Sequence, residues 1–177
     1  MKLSALFLAV AALPTVAFAA PMVTFQAEIT SQTCEVSIDG ATNAVVVLPT
    51  VSTVDLAGAG ATAGLTPFTI SLSGCTAPAM NTPITTLFIG HNITAGYNLG
   101  NSATASPATN VAIQLTVDAA GRWPIELYDA ITPATGLILR KGDTTASYQF
   151  GARYISEAGG ATAGAVTAVA EYTISYL

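Results

Sequence analysis

The fold is decided by the stretch Gly164-Ala-Val-Thr-Ala-Val-Ala-Glu-Tyr-Thr-Ile-Ser-Tyr-Leu177. Its even positions are apolar: Val166, Ala168, Ala170, Tyr172, Ile174 and Tyr176. Four of the odd positions between them carry polar side chains. A period of two residues is typical of a β-strand with one buried face. We therefore expect this strand to find its neighbours among earlier strands of the chain or on another molecule.

Earlier parts of the chain alternate in the same way, and turn signals such as Asp39-Gly40 and Lys141-Gly-Asp143 separate them. No stretch shows a convincing helical period. Residues 55–65 are rich in Gly and Ala, and we predict a flexible connection there, with room for one helical turn. Eight or nine short strands of this kind predict an all-β protein, an immunoglobulin-like β-sandwich in broad class. The predicted strands cover residues 23–29 and 34–38, counted as one strand with a break or bulge near residue 31, then 44–48, 68–75, 86–90, 111–117, 125–128, 138–140, 148–154 and the terminal stretch.

The N-terminus predicts a signal peptide over residues 1–19, which leaves one domain over residues 20–177. Met1-Lys2 is a short basic start, residues 3–12 are apolar, and Ala17-Phe18-Ala19 is a small-x-small cleavage site. The apolar run is too short to cross a bilayer, so we expect no transmembrane segment in the mature chain. Cleavage after Ala11 is the alternative, and it would keep a longer N-terminal arm.

Two cysteines, Cys34 and Cys75, fall in the predicted mature chain. In an exported protein, two cysteines most simply form one disulfide bond, which here would close a loop of about 40 residues. A metal site is the rival interpretation. The only histidine, His91, does not cluster with the cysteines in sequence, so we expect no metal.

Charge is scarce, at 8% of residues, and acidic groups outnumber basic ones. Without Lys2 four basic and ten acidic residues give a net charge of −6, which argues against a nucleic-acid surface. With 51% hydrophobic residues, the composition indicates extensive burial or contact with another protein.

The chain offers little for catalysis, and we expect neither an enzyme nor a cofactor. No Gly-x-Ser-x-Gly motif occurs, and we interpret His91 as a surface or hydrogen-bonded residue. Glu126 and Asp129 would point to opposite faces of a strand, which excludes a carboxylate pair. Tyr97 and Trp123 could stack on sugar rings, but we interpret the tryptophan as a packing anchor.

Several separate stretches resemble the major-subunit family of bacterial chaperone–usher pili, the type 1 fimbrial pilins. They include Phe25-x-Ala-x-Ile29 before Cys34, Phe68-Thr-Ile-Ser-Leu-Ser-Gly-Cys75 and Phe150-Gly-Ala-Arg-Tyr154. Residues 108–115 resemble the central strand of the family. The ending resembles its C-terminal signature, a glycine fourteen residues from the end and a penultimate tyrosine, here Gly164 and Tyr176.

The resemblance implies an incomplete immunoglobulin-like sandwich, completed by a donated strand beside the terminal strand. It implies a structural subunit of a pilus that supports cell adhesion, polymerised head to tail with neighbouring pilins. The implied partners are also a periplasmic chaperone and an outer-membrane usher, and the implied location is the cell surface after export through the periplasm. The implied groove and chaperone-recognition residues are Gly164, Val166, Ala168, Ala170, Tyr172, Ile174 and Tyr176.

The sequence matches the family less well in the N-terminal segment that would be donated to the next subunit. After cleavage at Ala19 about five residues precede Phe25, whereas family members carry a longer donor arm. Either the donor overlaps residues 23–29, with Val23 and Phe25 inserting, or cleavage occurs earlier, or the subunit does not donate. The alternative functions are a minor or terminating tip subunit and a single-domain secreted adhesin that binds carbohydrate.

Overall fold

The computed structural model describes residues 34–128 and 131–176. The predicted signal peptide, the predicted strand over residues 23–29 and Asp129 lie outside the described residues. Within them the chain forms nine β-strands and one short 3-10 helix at Thr53–Leu56. The strands are β1 Glu35–Ile38, β2 Ala61–Ser73, β3 Thr82–Gly90, β4 Leu99–Gly100, β5 Ala112–Thr116, β6 Pro124–Ile125, β7 Thr132–Leu139, β8 Ala146–Ser156 and β9 Ala170–Ser175.

These strands form two antiparallel sheets. The larger sheet has the order β1-β2-β8-β5-β4, and β6 pairs with β5 outside that path. The smaller sheet has the order β7-β3-β9. Two antiparallel sheets around one core form a β-sandwich, so the predicted all-β sandwich class is confirmed.

Aromatic side chains from both sheets meet at the centre of the sandwich. Phe150 on β8 is fully buried, at 0% exposure. Its ring lies 5.8 Å from Phe68, 5.5 Å from Phe88 and 5.0 Å from Tyr148, measured between ring centroids. Because Phe88 belongs to the smaller sheet and the others to the larger one, these contacts join the two layers.

The predicted disulfide is present, joining Cys34 to Cys75 across a sequence separation of 41. It connects the residue before β1 to a residue two positions beyond the end of β2. Cys75 also donates its backbone N–H to Thr144 at 3.0 Å, which ties this end of β2 to the β7–β8 turn. Cys75 belongs to a second buried cluster with Leu72, Ile84, Leu137 and Leu139.

Two predicted segments are wrong. Residues 44–48 are not a buried strand, because Val45 is 85% exposed and Val47 is 78% exposed, while Val46 and Leu48 pack against the core. Residues 55–65 are not only a connection, because β2 begins at Ala61. Gly and Ala side chains carry little strand propensity, so pairing with β8 overrides their local preference.

Trp123 is not the predicted packing anchor, since it is 67% exposed. It lies directly before the two-residue strand β6, in a loop where its carbonyl accepts a hydrogen bond from the Val117 N–H at 2.8 Å. The backbone of this residue therefore contributes to the fold while its indole ring faces solvent.

Candidate functional site: an open strand edge

The terminal stretch forms one extended wall along the smaller sheet. β9 pairs with β3 on one side, from Thr85↔Ser175 to Gly90↔Ala170. Upstream of β9 the same side continues to accept hydrogen bonds. The Val169 carbonyl accepts from His91 at 3.1 Å, and the Thr167 carbonyl accepts from Ser102 at 2.8 Å. Within residues 34–128 and 131–176, no strand lies along the other edge of β9.

Gly164 begins this wall at a very close backbone crossing. A Cβ at this position would lie 2.4 Å from the Ala108 nitrogen and 2.6 Å from both the Pro107 carbonyl carbon and the Ser106 oxygen. Next to it, Ala165 donates to the Ser106 carbonyl at 2.8 Å, and its own carbonyl accepts from Ala108 at 2.9 Å. Only a residue without a side chain lets the two backbones approach to this distance.

Residues 42–52 form the opposite wall, and we call the space between them and residues 164–174 the open groove. One cavity of about 730 Å³ lies in it, between residues 42–45 and 169–174, with Val36 and Ile38 also in its lining. A second cavity of about 230 Å³ lies between residues 50–53 and 161–166. The Tyr172 hydroxyl donates to the Thr42 carbonyl at 3.5 Å, and this is a direct contact between the walls.

The predicted groove residues lie together along this wall. Five of them are half-buried and pack with one side against the central core: Val166, Ala168, Ala170, Tyr172 and Ile174. Ile174 and Tyr176 also pack against the cluster that contains the disulfide. Val23 and Phe25, the predicted donor residues, lie outside the described residues. The wall thus combines a strand edge with apolar side chains that are only half covered.

The sequence did not identify residues 42–52 as the facing wall. Their side chains alternate between core and solvent, but within the described residues they form no strand ladder. The sequence shows only that these residues alternate between apolar and polar. An ordinary paired strand alternates in the same way, so the pattern does not reveal that this segment lacks a hydrogen-bonded neighbour.

Several polar side chains among the described residues form hydrogen bonds that support the fold. His91 is exposed and lies 3.0 Å from the Glu171 carboxylate, in agreement with its interpretation as a hydrogen-bonded surface residue. The buried Gln114 accepts two hydrogen bonds from Arg153, at 2.9 and 2.6 Å, and donates to Asn98 at 3.1 Å. Asn98 in turn donates to Glu157 at 2.6 Å. These bonds give the buried Gln114 side chain partners for both its oxygen and its nitrogen.

Among the described residues, no group of three or more His, Cys, Asp or Glu side chains could hold a metal ion. In the same part of the chain, no helix has the length and apolar character needed to cross a bilayer.

Known proteins resemble the chain over most of its length. The family model described as "Fimbrial protein" matches residues 23–177. The F17 fimbrial protein of Escherichia coli is 37% identical over 157 residues, covering 87% of this chain and 86% of that protein. The major fimbrial subunit SMF-1 of Stenotrophomonas maltophilia is 37% identical over 172 residues, covering 94% and 98%. The minor fimbrial subunit HifD of Haemophilus influenzae is 35% identical, covering 87% and 73%.

Solved structures share the fold. The type I fimbria protein BPSL1626 of Burkholderia pseudomallei has a TM-score of 0.56 and 25% identity, over 82% of this chain and 100% of that one. The P pilus rod subunit PapA has a TM-score of 0.57 and 18% identity, over 81% and 99%.

Proposed function

The chain belongs to the fimbrial protein family and is a structural subunit of a pilus, and on that premise we propose that it polymerises by donor-strand exchange. In this proposal the open groove accepts an extended segment from the next subunit, which becomes an additional strand beside β9. Main-chain hydrogen bonds supply affinity, and alternate side chains that enter the groove fix the register.

The observation that carries the proposal is the combination of an open edge with incompletely covered core side chains. Tyr172 and Ile174 pack on the core from one side, while the other side faces a cavity of about 730 Å³. An exposed apolar strand edge in an isolated molecule promotes aggregation, so a partner strand is expected to cover it. A strand inserted here would face residues 42–48 on one side and β9 on the other.

We propose that the donor is the N-terminal segment of a second copy, with Val23 and Phe25 among the inserted side chains. A periplasmic chaperone would occupy the groove before assembly, and an outer-membrane usher would exchange chaperone for donor. A signal peptide over residues 1–19 would direct export, leaving residues 20–177 as the pilin domain. The assembled filament would lie on the cell surface and carry no catalytic activity.

The chain is similar to both major and minor fimbrial subunits, so it has two possible positions in the filament. As a shaft subunit the chain would both accept and donate a strand, and as a terminating subunit it would only accept one. The ratio of this chain to other subunits in purified pili distinguishes the two.

A single-domain adhesin is the third candidate, because Trp123 is exposed at 67% and available for sugar stacking. Specific binding of a self-complemented monomer on a glycan array would favour it.

Two complementary variants test strand exchange. Deletion of residues 20–29 removes the proposed donor, and Ala168→Glu places a charge in the groove between the two cavities. The substitution Thr167→Glu, one position away on the exposed face, is the matched control. We expect the deletion to end filaments when mixed with the wild-type subunit, because the variant accepts but does not donate. Together the two variants should form only dimers, whereas the control polymerises.

If the deletion also removes a strand that folding needs, the pair Val23→Asp and Phe25→Asp tests donation with the chain length unchanged. Filaments of normal length from either donor variant would contradict the donor assignment. Filaments of normal length from Ala168→Glu would contradict the groove.

A further inference from the structure

A rigid basic turn follows β7 at residues 140–143. Its Asp143 N–H donates to the Arg140 carbonyl at 3.0 Å, which closes the turn. The Lys141 N–H donates to the Asn81 side chain at 2.9 Å, and the Gly142 N–H donates to the Pro78 carbonyl at 3.0 Å. Backbone bonds to a second loop therefore hold the turn in place while its side chains are exposed.

Among the residues that the structure describes, the two cations of this turn form no ion pair with a carboxylate. Of the five Lys and Arg residues, Lys2 lies outside the described residues. Arg122 is paired with Asp118 at 2.9 Å, and the pKa of that carboxyl is lowered mainly because the Arg122 backbone N–H donates to it. Arg153 is bound by Gln114. Within the described chain, Arg140 and Lys141 have no carboxylate within 4.0 Å.

An exposed aromatic pair beside a carboxylate lies at the other end of the molecule. The rings of Tyr97 and Tyr128 lie 4.1 Å apart between centroids and are 40% and 59% exposed. The Tyr128 hydroxyl donates to Glu126, and the Leu127 N–H donates to the Tyr97 carbonyl at 3.0 Å. The first contact orients the Tyr128 ring, and the second joins the backbones of the two segments that carry the rings. We call Tyr97, Tyr128 and Glu126 the tyrosine face.

β7 separates the basic turn from the tyrosine face. Tyr128 lies a few residues before Thr132, where β7 begins, and Arg140 directly follows Leu139, where it ends. Eight strand residues at about 3.3 Å each separate the two by roughly 26 Å. Because β3 pairs with both β7 and β9, the axis of β7 also runs along the open groove.

The disulfide places the proposed donor segment at the same end as the basic turn. Cys34 is bonded to Cys75, which donates to Thr144 next to the turn. A strand donated from residues before Cys34 is therefore tethered at the end that carries Arg140 and Lys141. At the opposite end, Asn98 next to Tyr97 is held by Glu157, directly beyond β8.

We propose that the basic turn of one copy docks on the tyrosine face of the next copy in the filament. Arg140 and Lys141 would contact the rings of Tyr97 and Tyr128 and the carboxylate of Glu126. Cations attract both the faces of aromatic rings and carboxylates, and a planar guanidinium also stacks on an aromatic ring. This inference rests on the proposed head-to-tail polymer and adds an end-to-end contact to the inserted strand.

The test uses filaments purified from cells that make the full chain with Arg140→Gln and Lys141→Gln. The control carries Thr62→Glu and Gln149→Glu, exposed positions of the larger sheet that change the net charge by the same amount. We expect the Gln variant to dissociate in urea about fivefold faster than wild type in 10 mM NaCl, and the control to dissociate at the wild-type rate. In 1 M NaCl, where the Debye length is about 3 Å, the difference should largely disappear.

Charge exchange identifies the partner surface. Glu126→Arg alone should accelerate dissociation, and adding Arg140→Glu and Lys141→Glu to it should restore much of the loss. Equal rates for the Gln variant and its control, or no restoration in the exchanged variant, would overturn the docking. An absence of filaments from the wild-type chain would instead overturn the proposed function, so the two failures are distinguishable.

Discussion

Replacing Gly164 with alanine would place a methyl group against backbone atoms of residues 106–108. The new carbon would lie 2.4 Å from the Ala108 nitrogen, where van der Waals contact requires more than 3.4 Å, so the two segments must separate by about 1 Å. That separation breaks the two hydrogen bonds of Ala165, at 2.8 and 2.9 Å. Each lost hydrogen bond costs about 0.5–1.5 kcal/mol, and the remaining steric overlap costs about 1–2 kcal/mol. We therefore expect the substitution to lower the free energy of unfolding by about 3 kcal/mol.

Gly142→Ala is the matched control. Gly142 has a φ of +81°, and an added Cβ there would meet no atom within 4 Å. Its substitution therefore carries only a conformational cost, about 1 kcal/mol.

The assay is equilibrium unfolding in guanidinium of a subunit whose groove is filled by a donor segment fused behind residue 177. We expect Gly164→Ala to lower the free energy of unfolding by about 2 kcal/mol more than Gly142→Ala. Hydrogen exchange at the Ala165 and Ala108 amides should accelerate in the first variant alone. Equal losses in both variants, with unchanged exchange, would refute the close-crossing explanation of Gly164.

Three further predictions concern the core, the disulfide and the tyrosine face. Phe150→Ala should lower the free energy of unfolding by about 3–5 kcal/mol, since it empties a site with 0% exposure. Cys34→Ser should lower it by about 4 kcal/mol, because the loop that Cys34 and Cys75 close spans a separation of 41 residues; an unchanged denaturation midpoint would contradict this. The pKa of Tyr128 is raised above 10.0 because its hydroxyl donates a hydrogen bond to Glu126. This hydrogen bond therefore stabilises the folded state below pH 10, and its contribution disappears as the pH rises through the folded-state pKa. In Glu126→Gln, absorbance at 295 nm should show one tyrosine that ionises at lower pH than in the wild type.

The strands that sequence alternation predicts best are those with a partner on both sides. β2 buries Phe68, Ile70 and Leu72 as expected, and β8 follows its predicted alternation as far as Phe150, after which Gly151 is buried as well as Ala152. The central strand β5 departs from this pattern, because Gln114 and Thr116 are as buried as their apolar neighbours. A polar side chain is buried where a fixed partner meets it, and that partner, Arg153 in the case of Gln114, is 39 residues away in the sequence.

The groove could be predicted in part. Alternation identified the residues of the terminal wall, since their half-buried faces follow from a period of two. The facing wall at residues 42–52 could not be recognised, because its place opposite β9 depends on long-range packing rather than on a local pattern. Gly164 was indicated only by resemblance, and its physical reason, the crossing with residues 106–108, involves chain some 56 residues away.

The disulfide has a mechanical consequence for a filament under tension. In the proposed polymer, pulling force would enter a subunit through the segment before Cys34 and reach Cys34 first. Because Cys34 is bonded to Cys75, the load passes directly to the β7–β8 turn and bypasses the residues between the two cysteines. That separation of 41 residues represents roughly 140 Å of extended chain that stretching cannot release. A reduced filament would therefore extend farther before it breaks than an oxidised one.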